Sequence, residues 1–409
     1  MLIASAKLAD IAARSLFVLL VLYSLPVRST GQFGLILTLI GFFTFLAGFE
    51  RYADLQRRMV GANEQDTDRL IVSTLRFYAL NYSIWLPVLL VLLVVWVQLP
   101  MTDALICGVI ALGEHLSNEV YRIALIAPRH RPVLFAVLAK NLITLAAVAA
   151  LLWRRAAVFD IGTVLIVWGC VSFIGLIAIA IGFTKTWAFD SFAAAGGAKL
   201  GQMQQYCASR VHFMIGLVAL AALQIDRLVV GSLLPLEQSG LYFRHVFLAS
   251  FVYQLFNVVS YNRVSARVYA QARAGAPMLA RRTIRREMKI LVPVTVVLAF
   301  LSWNLDVSLL PPKPAIQTLR PPYLAILLLA FLVRAIADYN ALLLNAVYRE
   351  QGILIAQSIA LFLSLALYVV LTHAFGIAGT VCTLLLGSGI YLIGSGVYAR
   401  RSPELKIAS

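Results

Sequence analysis

Apolar residues run along this chain in long continuous stretches that are separated by short polar segments. A stretch of roughly twenty apolar residues can cross the hydrocarbon core of a bilayer as an α-helix. Barrel strands would instead alternate apolar and polar residues over about ten positions. The pattern predicts an all-α integral membrane protein with about twelve transmembrane helices. The predicted spans are 8–25, 31–50, 70–98, 103–126, 133–152, 161–183, 206–233, 238–258, 286–304, 321–346, 351–373 and 376–399.

The connections between these spans are short, and the longest are 51–69, 184–205 and 259–285. None of them is long enough for a globular domain with its own core. We therefore expect two six-helix lobes, at 1–183 and 206–409, joined by a cytoplasmic linker at 184–205.

A repeated turn supports the division into two lobes. Pro26 and Gly31 recur as Pro235 and Gly240, at an offset of 209 residues. The same offset maps the first predicted span onto the seventh and the second onto the eighth. Two halves in the same orientation form a parallel repeat, and transporters built in this way place their substrate at the repeat interface. The repeat predicts a hydrated central cavity between the lobes.

Basic residues give the orientation of the chain. It carries 34 Lys and Arg against 18 Asp and Glu, a net charge of +16. With both termini in the cytoplasm, 22 basic residues fall on the cytoplasmic side and 5 on the opposite side. Cytoplasmic loops of membrane proteins collect Lys and Arg in this way. The excess charge is therefore explained without nucleic acid as a partner.

Seven basic residues remain inside the predicted spans, where each costs at least about 2.5–3.5 kcal/mol to insert. Those near a cytoplasmic end either extend to the interface or line a cavity, and both interpretations stay open. Arg334 lies 13 residues from one end of its span and 12 from the other, so it needs a partner or water. The seven are Arg76, Arg122, Lys140, Arg210, Arg227, Arg244 and Arg334.

Acidic residues accompany these cations at helical spacing. Asp338 follows Arg334 by four residues and shares its helix face. This arrangement is either a structural ion pair or a cationic cavity wall whose charge Asp338 tunes. Glu114 and Arg122 lie eight residues apart in the fourth span, with Glu119 beside them. The fourth and tenth spans are equivalent helices of the two halves.

The eighth span carries residues that suit a sugar and a phosphate. Tyr242, Tyr253 and Asn257 offer flat apolar faces together with hydrogen-bonding groups. Tyr242 is alternatively an aromatic residue of the membrane interface. Arg244 can donate two parallel hydrogen bonds to a phosphate. Arg227, in the seventh span, is expected at the membrane interface.

No pattern of a catalytic centre is present in the sequence. There is no P-loop, the four cysteines lack metal-ligand spacing, and the acidic cluster at 66–68 lies in a short loop. We expect neither an enzyme nor a bound cofactor or metal.

Two stretches resemble a known family. "LYSLPVRSTGQFG", which begins at Leu22, is similar to the opening helices of Wzx-type polysaccharide flippases. "LQIDRLVVGSLLPLEQSGLYFR", which begins at Leu223, is similar to the start of their second half, where Asp226, Gly240 and Tyr242 match the family pattern. These flippases belong to the multidrug/oligosaccharidyl-lipid/polysaccharide (MOP) exporter superfamily. Its members, which include the MATE transporters, form two six-helix lobes around a V-shaped cavity.

The resemblance implies a flippase of the bacterial cytoplasmic (inner) membrane. Its substrate would be an undecaprenyl-pyrophosphate-linked oligosaccharide for O-antigen, capsule or exopolysaccharide, moved by alternating access in a monomer surrounded by membrane lipids. The residues expected to attract the headgroup are Arg334, Arg244, Arg210, Arg122 and Arg76. Those expected to couple transport to protons or sodium are Asp226, Glu114, Glu119 and Asp338.

Three alternatives stay open. An ion-coupled multidrug exporter of the same superfamily should carry unpaired acids for cationic drugs, whereas this chain has an excess of Arg. The sequence poorly distinguishes a lipid II flippase from a flippase of lipid-linked oligosaccharides. A membrane polysaccharide polymerase should have a large periplasmic loop, and the external loops here are short.

Overall fold

The computed structural model describes residues 2–59, 63–126, 131–154, 159–186, 202–305 and 320–402, and within them the chain is helical. A π-helical turn at Asn257–Tyr261 follows the ninth helix. The helices are α1 (Leu2–Ser24), α2 (Val27–Gly48), α3 (Arg51–Met59), α4 (Glu64–Val95), α5 (Met101–Ile126), α6 (Arg131–Trp153), α7 (Ile161–Thr186), α8 (Gln202–Leu233), α9 (Leu236–Phe256), α10 (Asn262–Arg273), α11 (Pro277–Trp303), α12 (Pro321–Ala346), α13 (Glu350–Phe375) and α14 (Ile377–Arg401).

Twelve of the helices in the described ranges have 21 residues or more, and each of the twelve predicted spans matches one of them, with at most three residues beyond the helix end. At about 1.5 Å per residue such helices are roughly 31 Å or longer, enough to cross a bilayer. Within the described residues, eight are long and apolar enough to do so by composition alone. The prediction of an all-α, multi-pass membrane protein is confirmed.

The structure differs from the sequence-based interpretation in two connections. The segment 51–69 contains α3 and the segment 259–285 contains α10, although both were expected to be loops. These helices are too polar for a hydropathy pattern to reveal, and only one face of each is apolar. In addition, α11 begins at Pro277, nine residues before the predicted span. Of the predicted linker, residues 187–201 lie outside the described ranges.

The chain divides into two compact units. Unit 1 comprises Met1–Leu25 and Gln32–Leu217, and unit 2 comprises Pro26–Gly31 and Val218–Ser409. Two helices are therefore shared. The first turn of α2 belongs to unit 2, and the first half of α8 belongs to unit 1. The predicted lobes at 1–183 and 206–409 stay a prediction.

Unit 1 is held together around α5, α6 and α7, which pack against one another, with α1 against α6 and α4 against α5. Aromatic side chains fill the space between α1, α2 and α7. The ring centroids of Phe17 and Trp168 are 5.2 Å apart, and Phe33 lies 6.3 Å from each of them. Edge-to-face rings of this kind add to the packing energy beyond their buried area.

Unit 2 is organised by α12, which packs against α9, α11 and α14, while α13 packs along α14. Glycines let α13 and α14 approach closely. A Cβ atom on Gly387 would lie 2.1 Å from the Ser364 hydroxyl oxygen, and one on Gly394 would lie 3.0 Å from the Ala356 Cβ. Helices that pack in a membrane use small residues in this way, because van der Waals contact rather than water exclusion drives their association.

Candidate functional site

The first polar cluster of unit 1 is a buried ion pair between α5 and α6. Lys140 Nζ donates to Glu114 Oε1 at 2.7 Å, and both side chains are almost fully buried. Arg14 Nη1, from α1, lies 3.1 Å from Glu114 Oε2, and the Trp168 side chain also donates to this carboxylate. Two cations and an indole therefore surround one acid, and Glu114 is the best-satisfied of the four predicted coupling acids.

The second cluster of unit 1 is formed by α3, α4 and α5. Glu119 is 2% exposed and accepts hydrogen bonds from the Tyr78 hydroxyl and from Arg122 Nη1. The Arg122 guanidinium carbon lies 3.7 Å from the centre of the Tyr52 ring. Burial raises the pKa of Tyr52 to about 12, so its hydroxyl stays protonated and donates to Glu50. The Arg122 guanidinium therefore donates a hydrogen bond to Glu119 and acts on the Glu50 carboxyl group through its charge.

A buried histidine lies beside this cluster. His115 Nδ1 and the Tyr82 hydroxyl are 2.5 Å apart, and the rings of His115 and Tyr78 meet edge to face at 4.8 Å. His115 Nε2 has no hydrogen-bond partner among the described residues. Polar groups buried in this way are rarely left unsatisfied.

In unit 2, Asp226 of α8 lies against α9. The Tyr242 hydroxyl donates to Asp226 Oδ2, and both residues are at most 1% exposed. Tyr242 is therefore buried against α8 in this conformation, and its predicted contact with a sugar stays a prediction. Arg227 was expected at that interface, but it is 8% exposed and its guanidinium lies 4.4 Å from the Phe247 ring centre. A guanidinium at this distance from an aromatic face makes a cation–π contact within unit 2.

The predicted pair in the middle of α12 does form. Arg334 Nε lies 3.4 Å from Asp338 Oδ1, and the Arg334 guanidinium carbon lies 4.5 Å from the Tyr391 ring centre on α14. The Tyr253 hydroxyl, from α9, donates to Asp338 Oδ2 at 2.5 Å, and Asn257 donates to that hydroxyl. Two predicted sugar residues, Tyr253 and Asn257, are therefore brought to the predicted cation and acid.

The repeated turns meet each other in unit 2. A Cβ atom on Gly31 would lie 2.3 Å from the Leu236 carbonyl oxygen, and one on Gly240 would lie 1.9 Å from the Val27 carbonyl oxygen. Leu236 and Val27 are themselves related by the offset of 209 residues. Arg244, almost fully buried on α9, donates from Nη2 to the Thr30 hydroxyl in this contact at 3.4 Å. The contact is a two-fold crossing of the first turns of α2 and α9.

The predicted headgroup cations of unit 1 differ in their exposure. Arg76 on α4 and Arg210 on α8 are exposed in unit 1, whereas Arg122 is partly buried against Tyr52. The five predicted headgroup cations are thus distributed over both units, three in unit 1 and two in unit 2. The structure pairs Arg122 and Arg334 with acids and gives Arg244 a hydroxyl partner.

Sequence reasoning missed Glu50, Tyr78, Tyr82 and Tyr391. The tyrosines carried a weak signal, since Tyr78 and Tyr82 lie four residues apart on one face of α4. Glu50 carried none, because a lone acid beside Arg51 at the end of a span is typical of a solvated helix end. Among the described residues, no three His, Cys, Asp or Glu side chains come together as a metal site.

Comparison with known proteins adds to this geometry. No family model matches the chain, and no curated protein matches it. Among solved structures, it is similar to an inward-facing MATE family multidrug transporter of the MOP superfamily, with 11% identity and a TM-score of 0.75 over 99% of this chain and 100% of that one. The chain has the MATE-like transporter fold. The lipid II flippase MurJ is also similar, with 14% identity and a TM-score of 0.67 over 98% and 88% of the two chains.

A third similar structure is VcmN, a MATE transporter of Vibrio cholerae, with 14% identity and a TM-score of 0.61 over 99% and 98% of the two chains. At these identities the similarity establishes the architecture, and a fold does not fix the substrate.

Proposed function

We propose that this protein is a flippase that moves an undecaprenyl-pyrophosphate-linked oligosaccharide across the bacterial cytoplasmic membrane by alternating access. The MATE-like transporter fold supports transport, because the similar structures include both exporters and a lipid flippase. The resemblance of its two repeat turns to those of Wzx-type flippases supports a lipid-linked oligosaccharide as the substrate.

The observation that carries the proposal is the balance of charge inside the helices. Each of the four predicted coupling acids lies near at least one cation: Glu114 near two, Glu119 near Arg122, Asp226 near Arg227 and Asp338 near Arg334. A binding site for cationic drugs needs an acid whose charge is not already offset. Cations in excess of acids instead suit a pyrophosphate headgroup, which Arg recognises with paired hydrogen bonds.

Arg334 and its surroundings are the proposed headgroup and sugar contact of unit 2. Tyr253 and Asn257 supply an aromatic face and an amide next to the cation, a combination that suits a sugar ring joined to a phosphate. In this conformation Asp338 partly neutralises Arg334. We propose that the headgroup replaces Asp338 as the partner of the guanidinium during transport.

The proposal is tested with Arg334→Gln in proteoliposomes that contain a fluorescent lipid-linked oligosaccharide. Losing one charged hydrogen bond of about 1.5–3 kcal/mol should slow flipping by roughly 10- to 100-fold. Arg320→Gln is the matched control, because Arg320 is exposed at the start of the same helix and should leave the rate unchanged. If the Arg334→Gln protein is present at normal abundance and flips the substrate at the wild-type rate, Arg334 does not contact the headgroup during transport.

A further inference from the structure

The short connection between α2 and α3 has an unusual backbone. Phe49 and Glu50, neither of them glycine, have positive φ angles of 48° and 51°. Left-handed conformations are disfavoured for residues with a Cβ atom, and they persist where the surroundings hold them. Two such residues in succession, at the cytoplasmic end predicted for α2, mark a turn that the fold of unit 1 keeps in a strained form.

Aromatic packing holds this turn in place. The Phe49 ring stacks on Phe213 of α8 at 3.9 Å and meets the edge of Tyr206 at 5.0 Å. The Tyr206 hydroxyl donates to the Asn81 side chain, whose amide nitrogen donates to the Ala47 carbonyl oxygen at 2.9 Å. The first half of α8 is thereby tied to the end of α2, and the turn directs Glu50 into the protein.

Glu50 then faces a cluster in which, among the described residues, two acids share the cation Arg122. Tyr52 donates a hydrogen bond to its carboxyl group, and Arg122 and Glu119 are the charged groups that act on it from α5. On the α8 side, the residue next to Glu50 is the uncharged Gly216. A Cβ atom on Gly216 would lie 3.2 Å from Glu50 Cγ. Among the described residues whose charges act on Glu50, the two acids Glu50 and Glu119 and the one cation Arg122 would carry one net negative charge if both acids were ionised.

One bound proton would remove this imbalance, and the hydrogen bonds indicate where it sits. Both carboxylate oxygens of Glu119 already accept a hydrogen bond, one from the Tyr78 hydroxyl and one from Arg122 Nη1. Burial raises the pKa of Glu50, which favours its neutral form. Glu50 is only half-buried, so water can exchange its proton, whereas Glu119 is almost inaccessible.

We propose that Glu50 is a proton-binding site, protonated in this conformation and deprotonated when the α2–α3 turn relaxes, so that it couples proton movement to transport. On deprotonation the O–H bond of the carboxyl group breaks, its electron pair stays on Glu50, and the proton passes to water. The carboxylate then competes with Glu119 for Arg122. The coupling role rests on the proposed function, whereas the proton site itself does not.

Infrared spectroscopy of the purified full-length protein tests the site without substrate. A pH titration should show the carbonyl stretch of a protonated carboxyl group that disappears as the pH is raised. Glu50→Gln should remove the Glu50 component of this band, because glutamine imitates the protonated acid and cannot release a proton. Glu237→Gln should keep it, since Glu237 is an exposed acid paired with Arg28. A full band in Glu50→Gln would overturn the proposal.

Labelling of the wild-type protein covers the case in which Glu50→Gln does not fold. A hydrophobic carbodiimide reacts with protonated carboxyl groups in apolar surroundings, and mass spectrometry locates the adduct. We expect the label on Glu50, decreasing as the pH is raised, and none on Glu119. Label on Glu119 alone, or on neither residue, would contradict the proposal.

Transport measurements separate this inference from the proposed function. If Glu50→Gln loses the infrared band while the wild-type protein flips no lipid-linked oligosaccharide, the proton site stands and the proposed function fails. If the wild type flips its substrate and Glu50→Gln retains both the band and the pH dependence of flipping, the proton site fails and the function stands.

Discussion

Gly31 and Gly240, 209 residues apart in sequence, lie directly against each other's helices where the first turns of α2 and α9 cross. A Cβ atom on either glycine would collide with a backbone carbonyl oxygen, that of Leu236 or of Val27. Equivalent residues flank the crossing. Thr30 and Ser239 each donate a side-chain hydrogen bond to the carbonyl oxygen of the repeat proline, both at 3.1 Å. The repeat that the sequence revealed is thus also a physical two-fold contact.

This crossing should not tolerate a methyl group. Gly31→Ala and Gly240→Ala each push a side chain into backbone that cannot rotate away, and overpacking of this kind costs about 1–3 kcal/mol. Thermal unfolding in detergent should show a lower Tm for both variants. Gly389→Ala on α14 is the control, because a Cβ atom there meets nothing within 4 Å. Equal Tm values for all three variants would show that the crossing is not close-packed.

The buried pair of Lys140 and Glu114 predicts a strong coupling between two substitutions. Lys140→Met leaves Glu114 with only the half-buried Arg14 as a cation, and breaking a buried pair costs about 3–5 kcal/mol. Adding Glu114→Gln removes the uncompensated charge, so the double variant should recover most of the lost stability. A double-mutant cycle on the free energy of unfolding measures this. Additive losses would mean that the two side chains do not interact.

His245 should fix the start of α12. The Arg320 N–H donates to His245 Nε2 at 2.7 Å, so Nε2 is unprotonated. Nδ1 therefore carries the hydrogen and donates to the Leu241 carbonyl oxygen at 2.6 Å. His245→Leu should expose the Arg320 amide to hydrogen exchange and lower stability by about 1–3 kcal/mol. Unchanged protection of that amide would show that the imidazole does not anchor the helix.

Glu50 predicts a pH dependence of stability with a defined sign. Burial raises its pKa above the ordinary value of 4.5, so the folded state binds a proton that the unfolded state has released. Stability should therefore fall as the pH rises from 4.5 through the pKa of the folded protein. Glu50→Gln should flatten this part of the curve of Tm against pH, and Glu237→Gln should not. An unchanged slope in Glu50→Gln would assign the dependence to another group.

The helices could be predicted from sequence because membrane spans are encoded locally, by apolar runs long enough to cross the bilayer. The pair of Arg334 and Asp338 was also readable, since four residues along a helix bring side chains to one face. The partner of Lys140 could not be read, because Glu114 lies 26 residues away on another helix. The role of Glu50 could not be predicted either, because its environment depends on a left-handed turn and on residues of α5 and α8 that are distant in sequence.

Flipping of a lipid-linked oligosaccharide is tested most directly with the purified wild-type protein in liposomes that contain fluorescent undecaprenyl-pyrophosphate-linked oligosaccharide, with lipid II and a cationic dye in parallel samples. A membrane-impermeant quencher added outside reports each movement across the bilayer. We expect protein-dependent flipping of the lipid-linked oligosaccharide, faster than that of lipid II, and no transport of the dye. Protein-dependent transport of the dye without movement of the lipid-linked oligosaccharide would contradict this expectation.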